Sequence, residues 1–125
     1  MTSSLRPATP KAKPRVVLRV RVVKDSEVLL GPGKVELMKH IADCGSISEA
    51  AKRMEMSYNR AWLHVKTLNS AFKEPLVLSL RGGTAGGGAT LSDTAKSVIA
   101  LYDKMVKAAD KAAQQTGSAL RALLK

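Results

Sequence analysis

The amino-acid sequence predicts a mainly helical α+β fold in which two small β-hairpins accompany four helices, the last of them long. Three observations carry that expectation. Val16, Leu18, Val20 and Val22 alternate with Arg19 and Arg21 at the two-residue period of a half-buried strand. Three segments between residues 33 and 72, and a fourth after residue 92, repeat apolar side chains at spacings of three and four, as helices packed on one face do. Two short apolar stretches flank the glycine-rich run GGTAGGGA at 82–89, which reads as two strands around a tip. At 125 residues the chain is one domain's worth of sequence with tails.

Charge narrows the function. Lys and Arg total 21 against 10 Asp and Glu, a formal net charge of +11, which calls for a polyanionic partner: nucleic acid first, an anionic membrane surface second. No stretch approaches the roughly 18 apolar residues of a spanning helix, and the first residues have no apolar signal core, so a cytoplasmic protein without membrane association is expected. Cys44, the only cysteine, has no internal disulfide partner and reads as a small packing residue in the last turn of a helix. His40 and His64 make no zinc spacing with it, so no metal is expected.

Taken in order, residues 1–15 hold Pro7, Pro10 and Pro14 with four basic side chains and no acid, the composition of a disordered basic arm. Such an arm is either a solvated tail or a neutraliser of phosphates. The strand from Val16 turns at residues 24–26 and returns through Val28, an N-terminal β-hairpin. Pro32 suits a first helical turn, Val35, Met38, Ile41 and Ala42 recur at helical spacing, and Gly45 ends that helix. Ser46 and Glu49 have the spacing of a capping box, with Ile47, Ala50, Ala51 and Met54 on the buried side of a second helix. Small Ala50 and Ala51 let another helix cross close by. Residues 55–57 form a break, and Ser57 caps a third helix from Tyr58 to about Phe72.

On that third helix Ala61, Val65, Leu68 and Phe72 share a buried arc, while Asn59, Leu63, Lys66 and Ser70 lie opposite. Residues 76–91 form the second hairpin, whose tip lacks the lysine and following helix of a nucleotide-phosphate loop. Ser92 caps a last helix over 92–116, in which Val98, Tyr102, Met105 and Ala109 are spaced four, three and four, the period of a two-helix seam suited to a second subunit. Gly117 is expected to interrupt it, leaving 117–125 as a C-terminal tail.

A capped small-residue helix, a short break and a helix with a free face make a helix-turn-helix over 46–72, and the hairpin at 76–91 follows it as a wing. The architecture predicted for residues 16–116 is therefore a winged helix-turn-helix with an N-terminal β-hairpin and a long dimerisation helix. Docking such a unit on duplex DNA brings residues Tyr58 to Lys66 to the major groove. Asn59 can bond an adenine edge, Arg60 a guanine edge or a phosphate, and Lys66 a phosphate or guanine. Ser57 and Tyr58 carry hydroxyls suited to phosphates, and Arg81, with Gly82, Gly83 and Thr84 of the tip, lies where the adjacent backbone would pass. Trp62, on the flank, is available either to the preceding helix or to a sugar-phosphate backbone; the size of the ring in a small domain favours packing. No paired carboxylates or catalytic triad stand out, so an enzyme is not expected.

From Gly33 to about Lys107 the chain resembles the N-terminal DNA-binding domain of the molybdate-responsive ModE-type transcription regulators, and more distantly the winged helix of LysR-type regulators. LMKHIADCGSISEAAKRMEMSYNRAW at 37–62, GGTAGGGATL at 82–91 and LYDKM at 101–105 carry the resemblance, and the preceding hairpin is similar to that family's N-terminal strands. The resemblance implies a homodimer formed through N-terminal strands and long helices on pseudo-twofold operator DNA, with Ser57, Tyr58, Asn59 and Arg60 opening the recognition helix. Full-length regulators of this type continue into molybdate-binding domains with an oxyanion motif, whereas this chain ends at Lys125 without one. The expectation is a single-domain member with no cofactor and no direct molybdate binding, open to a separate effector or effector-binding protein. A non-specific architectural DNA-binding protein is the alternative.

Overall fold

The computed structural model describes residues 13–80 and 88–125. Its elements are β1 (Val22–Lys24), β2 (Glu27–Leu30), α1 (Pro32–Cys44), α2 (Ile47–Arg53), α3 (Tyr58–Ala71), β3 (Val77–Leu80), β4 (Gly88–Leu91) and α4 (Asp93–Arg121). β1 pairs antiparallel with β2, and β3 with β4, as two separate hairpins. The order and pairing are those of a winged helix-turn-helix, α2 and α3 forming the pair and β3–β4 the wing.

α1 is central: α2, α3, β2 and β4 all touch it. Leu37, Met38 and Ile41 of α1, Leu68 of α3 and Leu76 just ahead of β3 are fully buried, each contributing roughly 1.5 to 3 kcal/mol by leaving water. Because α1 is covered on more than one side, Leu37 joins the core beside Val35, Met38 and Ile41. The Ala42 expected there is exposed instead. Pro32 stands in the first turn of α1, and Gly45 closes it in the left-handed region at φ 69°, its N–H donating to the Ile41 carbonyl.

The short helix α2 is capped as its sequence requires, with Ser46 Oγ accepting the Glu49 N–H at 3.0 Å. Its end is built differently from α1. Met54 caps it, Glu55 sits at φ 55°, and the N–H groups of Glu55 and Met56 donate to the Lys52 and Ala51 carbonyls. That is a Schellman closure with glutamate where glycine is usual. The break accordingly starts at Met54, one residue earlier than the sequence suggests.

Two expectations at the chain ends are corrected. Residues 16–21 lie outside both β-pairs, because the four-residue return strand β2 has partners only for Val22–Lys24. Of the face expected to be buried, Val20 is half-buried while Val16, Leu18 and Val22 are exposed. This segment lies against α4 instead: the Tyr102 hydroxyl donates to the Val20 carbonyl at 2.8 Å. Nor does Gly117 break α4, which continues to Arg121. A β-carbon at Gly117 would stand 2.9 Å from Val16 Cγ2, so the missing side chain accommodates the crossing segment, and alanines and glutamines around it carry the helix through. Residues 1–12 of the basic arm lie outside the described residues.

A β-substituted residue at φ 55° costs about 1 to 2 kcal/mol. Glu55→Gly is therefore expected to keep or raise the urea midpoint, by up to about 1 kcal/mol of stability, while β-branched Glu55→Val lowers it by at least that much. Equal midpoints for the two variants would show that the closure carries no strain.

Candidate nucleic-acid interface

The surface around α3 is set by how α2 and α3 are held. Ala50 and Ala51 on α2 and Ala61 on α3 are buried to within 2 % of complete, so the two helices meet through small side chains. Ser57 Oγ accepts the Arg60 N–H at 3.1 Å, fixing the first turn of α3. That cap occupies the Ser57 oxygen as an acceptor, while its O–H stays available as a donor.

Val65 and Leu68 complete the buried stripe of α3 with Ala61, and Phe72, just past its end, is half-buried. Asn59, Leu63, Lys66 and Ser70 face away from it and are exposed, as their spacing predicts. Tyr58 and Arg60 are exposed as well. Among the described residues, no hydrogen bond or ion pair holds the Asn59 amide or the Arg60 guanidinium. Asn59 and Lys66 thus share the outward face of α3, while Ser57, Tyr58 and Arg60 are exposed around its first turn, Tyr58 and Arg60 on opposite flanks.

Trp62 departs from its expected packing. It is 44 % exposed, and Lys66, one turn on, stands with Nζ 5.7 Å from the ring centroid, a cation–π distance. Its position about a quarter-turn from the buried stripe leaves the indole at the rim of the core rather than in it. Two residues after it, half-buried His64 is held below the ordinary imidazole pKa by burial first and then by the nearby charges of Lys34 and Arg60. Lys34 is itself lowered, mainly by burial, while its Nζ donates to the Val28 carbonyl at 3.0 Å.

The wing is joined to α3 by a residue the sequence did not single out. Asn69 Oδ1 accepts the N–H groups of Leu76 and Val77 at 2.8 and 2.9 Å, and its Nδ2 donates to the Val77 carbonyl at 3.1 Å. Its signal is an amide at the edge of the buried stripe, shortly before the Pro75 connection. Ser92 secures the other side of the wing root, donating its N–H to the Leu76 carbonyl and its hydroxyl to the Pro75 carbonyl while capping α4. β4 begins at Gly88, two residues before the return strand that the sequence suggests, and pairs through Leu80↔Gly88. Arg81, Gly82, Gly83 and Thr84 lie outside the described residues.

The four residues expected to form a seam on α4 do not all face outward. Tyr102 is buried in its own chain and Val98 and Ala109 are half-buried, leaving Met105 alone of the four exposed. The outward apolar row runs instead through Leu101, Met105, Ala108 and Ala112, again spaced four, three and four. Leu101 is 66 % exposed. Among the described residues no cluster of three or more His, Cys, Asp or Glu side chains could hold a metal, and no helix is long and apolar enough to cross a membrane.

With this geometry in place, comparison with known proteins is informative. The family model described as bacterial regulatory helix-turn-helix protein, lysR family, matches residues 33–96. The chain is 35 % identical over 100 residues to the transcriptional regulator ModE of Haemophilus influenzae, covering 72 % of this chain and 39 % of that protein. It is 40 % identical over 81 residues to the DNA-binding transcriptional dual regulator ModE of Escherichia coli, covering 65 % and 31 %. To the molybdenum transport protein ModE of Azotobacter vinelandii it is 35 % identical over 88 residues, covering 70 % and 33 %. The chain spans about a third of the length of these curated relatives.

Asn69→Ala leaves the partly buried Leu76 and Val77 N–H groups without an acceptor. A loss of about 1 to 3 kcal/mol in urea unfolding is expected, together with faster amide exchange at Leu76 and Val77 than at Ile41. Unchanged exchange there would show that the wing root is held by other contacts.

Proposed function

The chain belongs to the bacterial regulatory helix-turn-helix proteins of the LysR family, in their ModE-like form, and from that premise we propose that it is a transcription regulator that binds specific operator DNA as a dimer. The observation that carries this reading is the outward face of α3. Asn59, Arg60 and Lys66 stand exposed there on a helix fixed by its cap and its alanine packing. A rigid helix presenting an amide, a guanidinium and an ammonium suits base edges and phosphates together.

In this reading α3 enters the major groove, Asn59 takes an adenine edge, and Arg60 takes a guanine edge or the neighbouring phosphate. Ser57 and Tyr58 steady the phosphate at the start of the helix. Lys66 and Trp62 flank the groove, the ammonium drawn to phosphate while the indole lies along the sugar backbone. Arg81, Gly82, Gly83 and Thr84 belong to the wing that follows the adjacent backbone. The chemistry is recognition rather than catalysis, and no cofactor takes part. Any signal reaching the domain comes from an effector or effector-binding partner, in keeping with one relative being named for molybdenum transport.

Dimerisation is supported by the outward row of α4. Leu101, Met105, Ala108 and Ala112 form an apolar stripe at seam spacing that is exposed among the described residues. Two copies joined there would present two α3 helices to a pseudo-twofold site.

Specific binding predicts a preference of about a thousandfold for operator over random duplex at near-physiological salt, measured by titrating both with DNA from upstream of the protein's own gene as the first operator candidate. Asn59→Ala and Arg60→Ala are each expected to cost about 1 to 3 kcal/mol on the preferred site and little on random DNA. Equal binding to both duplexes, lost steeply with salt, supports an architectural protein instead.

Leu101→Asp tests the seam separately. Sedimentation should shift from dimer to monomer while the helical circular-dichroism signal of the folded protomer is retained, since the side chain is exposed in the protomer. A dimer that survives the substitution places the subunit interface elsewhere.

A further inference from the structure

We infer that Leu63 is a specificity-determining residue of the α3 surface, packing against the C5-methyl group of a thymine in the major groove. The inference rests on the DNA-binding reading above and adds a contact that the polar residues cannot make. Leu63 is 57 % exposed, more so than Tyr58 or Trp62 on the same helix. It lies four residues after Asn59 and three before Lys66, so the three share one face with the aliphatic side chain in the middle.

That setting identifies the occupant. A protein partner would be met by several apolar neighbours, and although Tyr58 and Trp62 are exposed on one flank of α3, the side chains flanking Leu63 on the outward face are an amide and an ammonium, with Arg60 beside them. They complement a polyanion whose base edges are polar. In the major groove the apolar group those edges offer is the thymine methyl, and aliphatic side chains recognise it by contact. Exposing a leucine to water on a helix otherwise used for polar recognition brings no benefit in the free protein; covering it on the complex does.

Spacing gives the register. One helical turn advances about 5.4 Å, and successive base pairs are about 3.4 Å apart. Leu63 therefore faces a base pair one or two steps from the one facing Asn59. A thymine is expected there in each half-site, on whichever strand presents its methyl to α3.

The test begins with duplexes selected by the full chain from a randomised pool. In the preferred duplex each thymine is replaced in turn by deoxyuridine, which removes only the methyl group. The wild-type protein is expected to lose about threefold to tenfold in affinity at one thymine per half-site. Leu63→Ala should bind the dT and dU forms of that position alike while keeping its response to base changes opposite Asn59. Sensitivity to dU that persists in Leu63→Ala, or a wild-type protein indifferent to every dU, overturns the contact. In both of those outcomes the selected preference itself leaves the regulator reading standing. A pool that yields no preferred duplex overturns that reading and the Leu63 contact with it.

Discussion

The carboxamide of Asn69 is the interaction on which the recognition surface depends. Leu76 is fully buried yet belongs to neither hairpin ladder, so its backbone groups need partners from elsewhere. Asn69 accepts its N–H, and the Ser92 N–H meets its carbonyl. One residue thus joins α3, the root of the wing and the start of α4. The bonds from Asn69 to Val77 extend that hold into β3. Without them, α3 and the wing would be linked only by residues 72–75 and by apolar contact, which is not directional. A helix and a hairpin that must follow one DNA surface need their relative orientation fixed, and hydrogen bonds supply the direction that packing lacks.

Small residues then decide how close the parts come. Ala50, Ala51 and Ala61 let α2 cross α3 without a large side chain between them. The wing uses the same device at the other end. The Ala89 N–H donates to the Gly45 carbonyl at 2.9 Å, and a β-carbon at Gly88 would approach that oxygen to 2.7 Å. Gly88 is therefore required by contact, and Gly45 by its left-handed φ; together they let β4 rest on the corner between α1 and α2. The glycine-rich character of this stretch is structural at Gly88 whatever the tip of the wing does.

Much of this was legible in the sequence because it rests on local rules. Ser46, Ser57 and Ser92 cap the helices they precede, Gly45 ends α1, and the arc of Ala61, Val65 and Leu68 is the buried stripe. The failures lie where distant residues decide. Val16 to Val20 have the alternation of a strand, but alternation does not supply a partner, and the short β2 leaves them to α4. Gly117 has the look of a helix breaker because its role depends on Val16, about a hundred residues away in the chain. Trp62, read on the flank of α3, was expected to pack because of its size, whereas it stands at the rim with Lys66 over its ring. Asn69 had no pattern to announce it, since its partners Leu76 and Val77 are recognisable only once the connection has folded back.

Which apolar row of α4 faces outward follows from the chemistry of two adjacent residues. Spacing allows a stripe through Tyr102 or one through Leu101, and only one can face the protomer's own core. Tyr102 carries a hydroxyl that needs a partner when buried, and the Val20 carbonyl of the crossing N-terminal segment provides it. Burial, with Asp103 beside it, also holds the phenol above its ordinary pKa, so the group stays a neutral donor. Leu101 needs no such partner and can be covered by any apolar surface. Burying tyrosine within the chain and leaving leucine outside thus assigns the directional contact to folding and leaves the non-directional side chain exposed. The same division holds on α3, where the alanines and Leu68 serve the core while the polar face and Leu63 stand exposed.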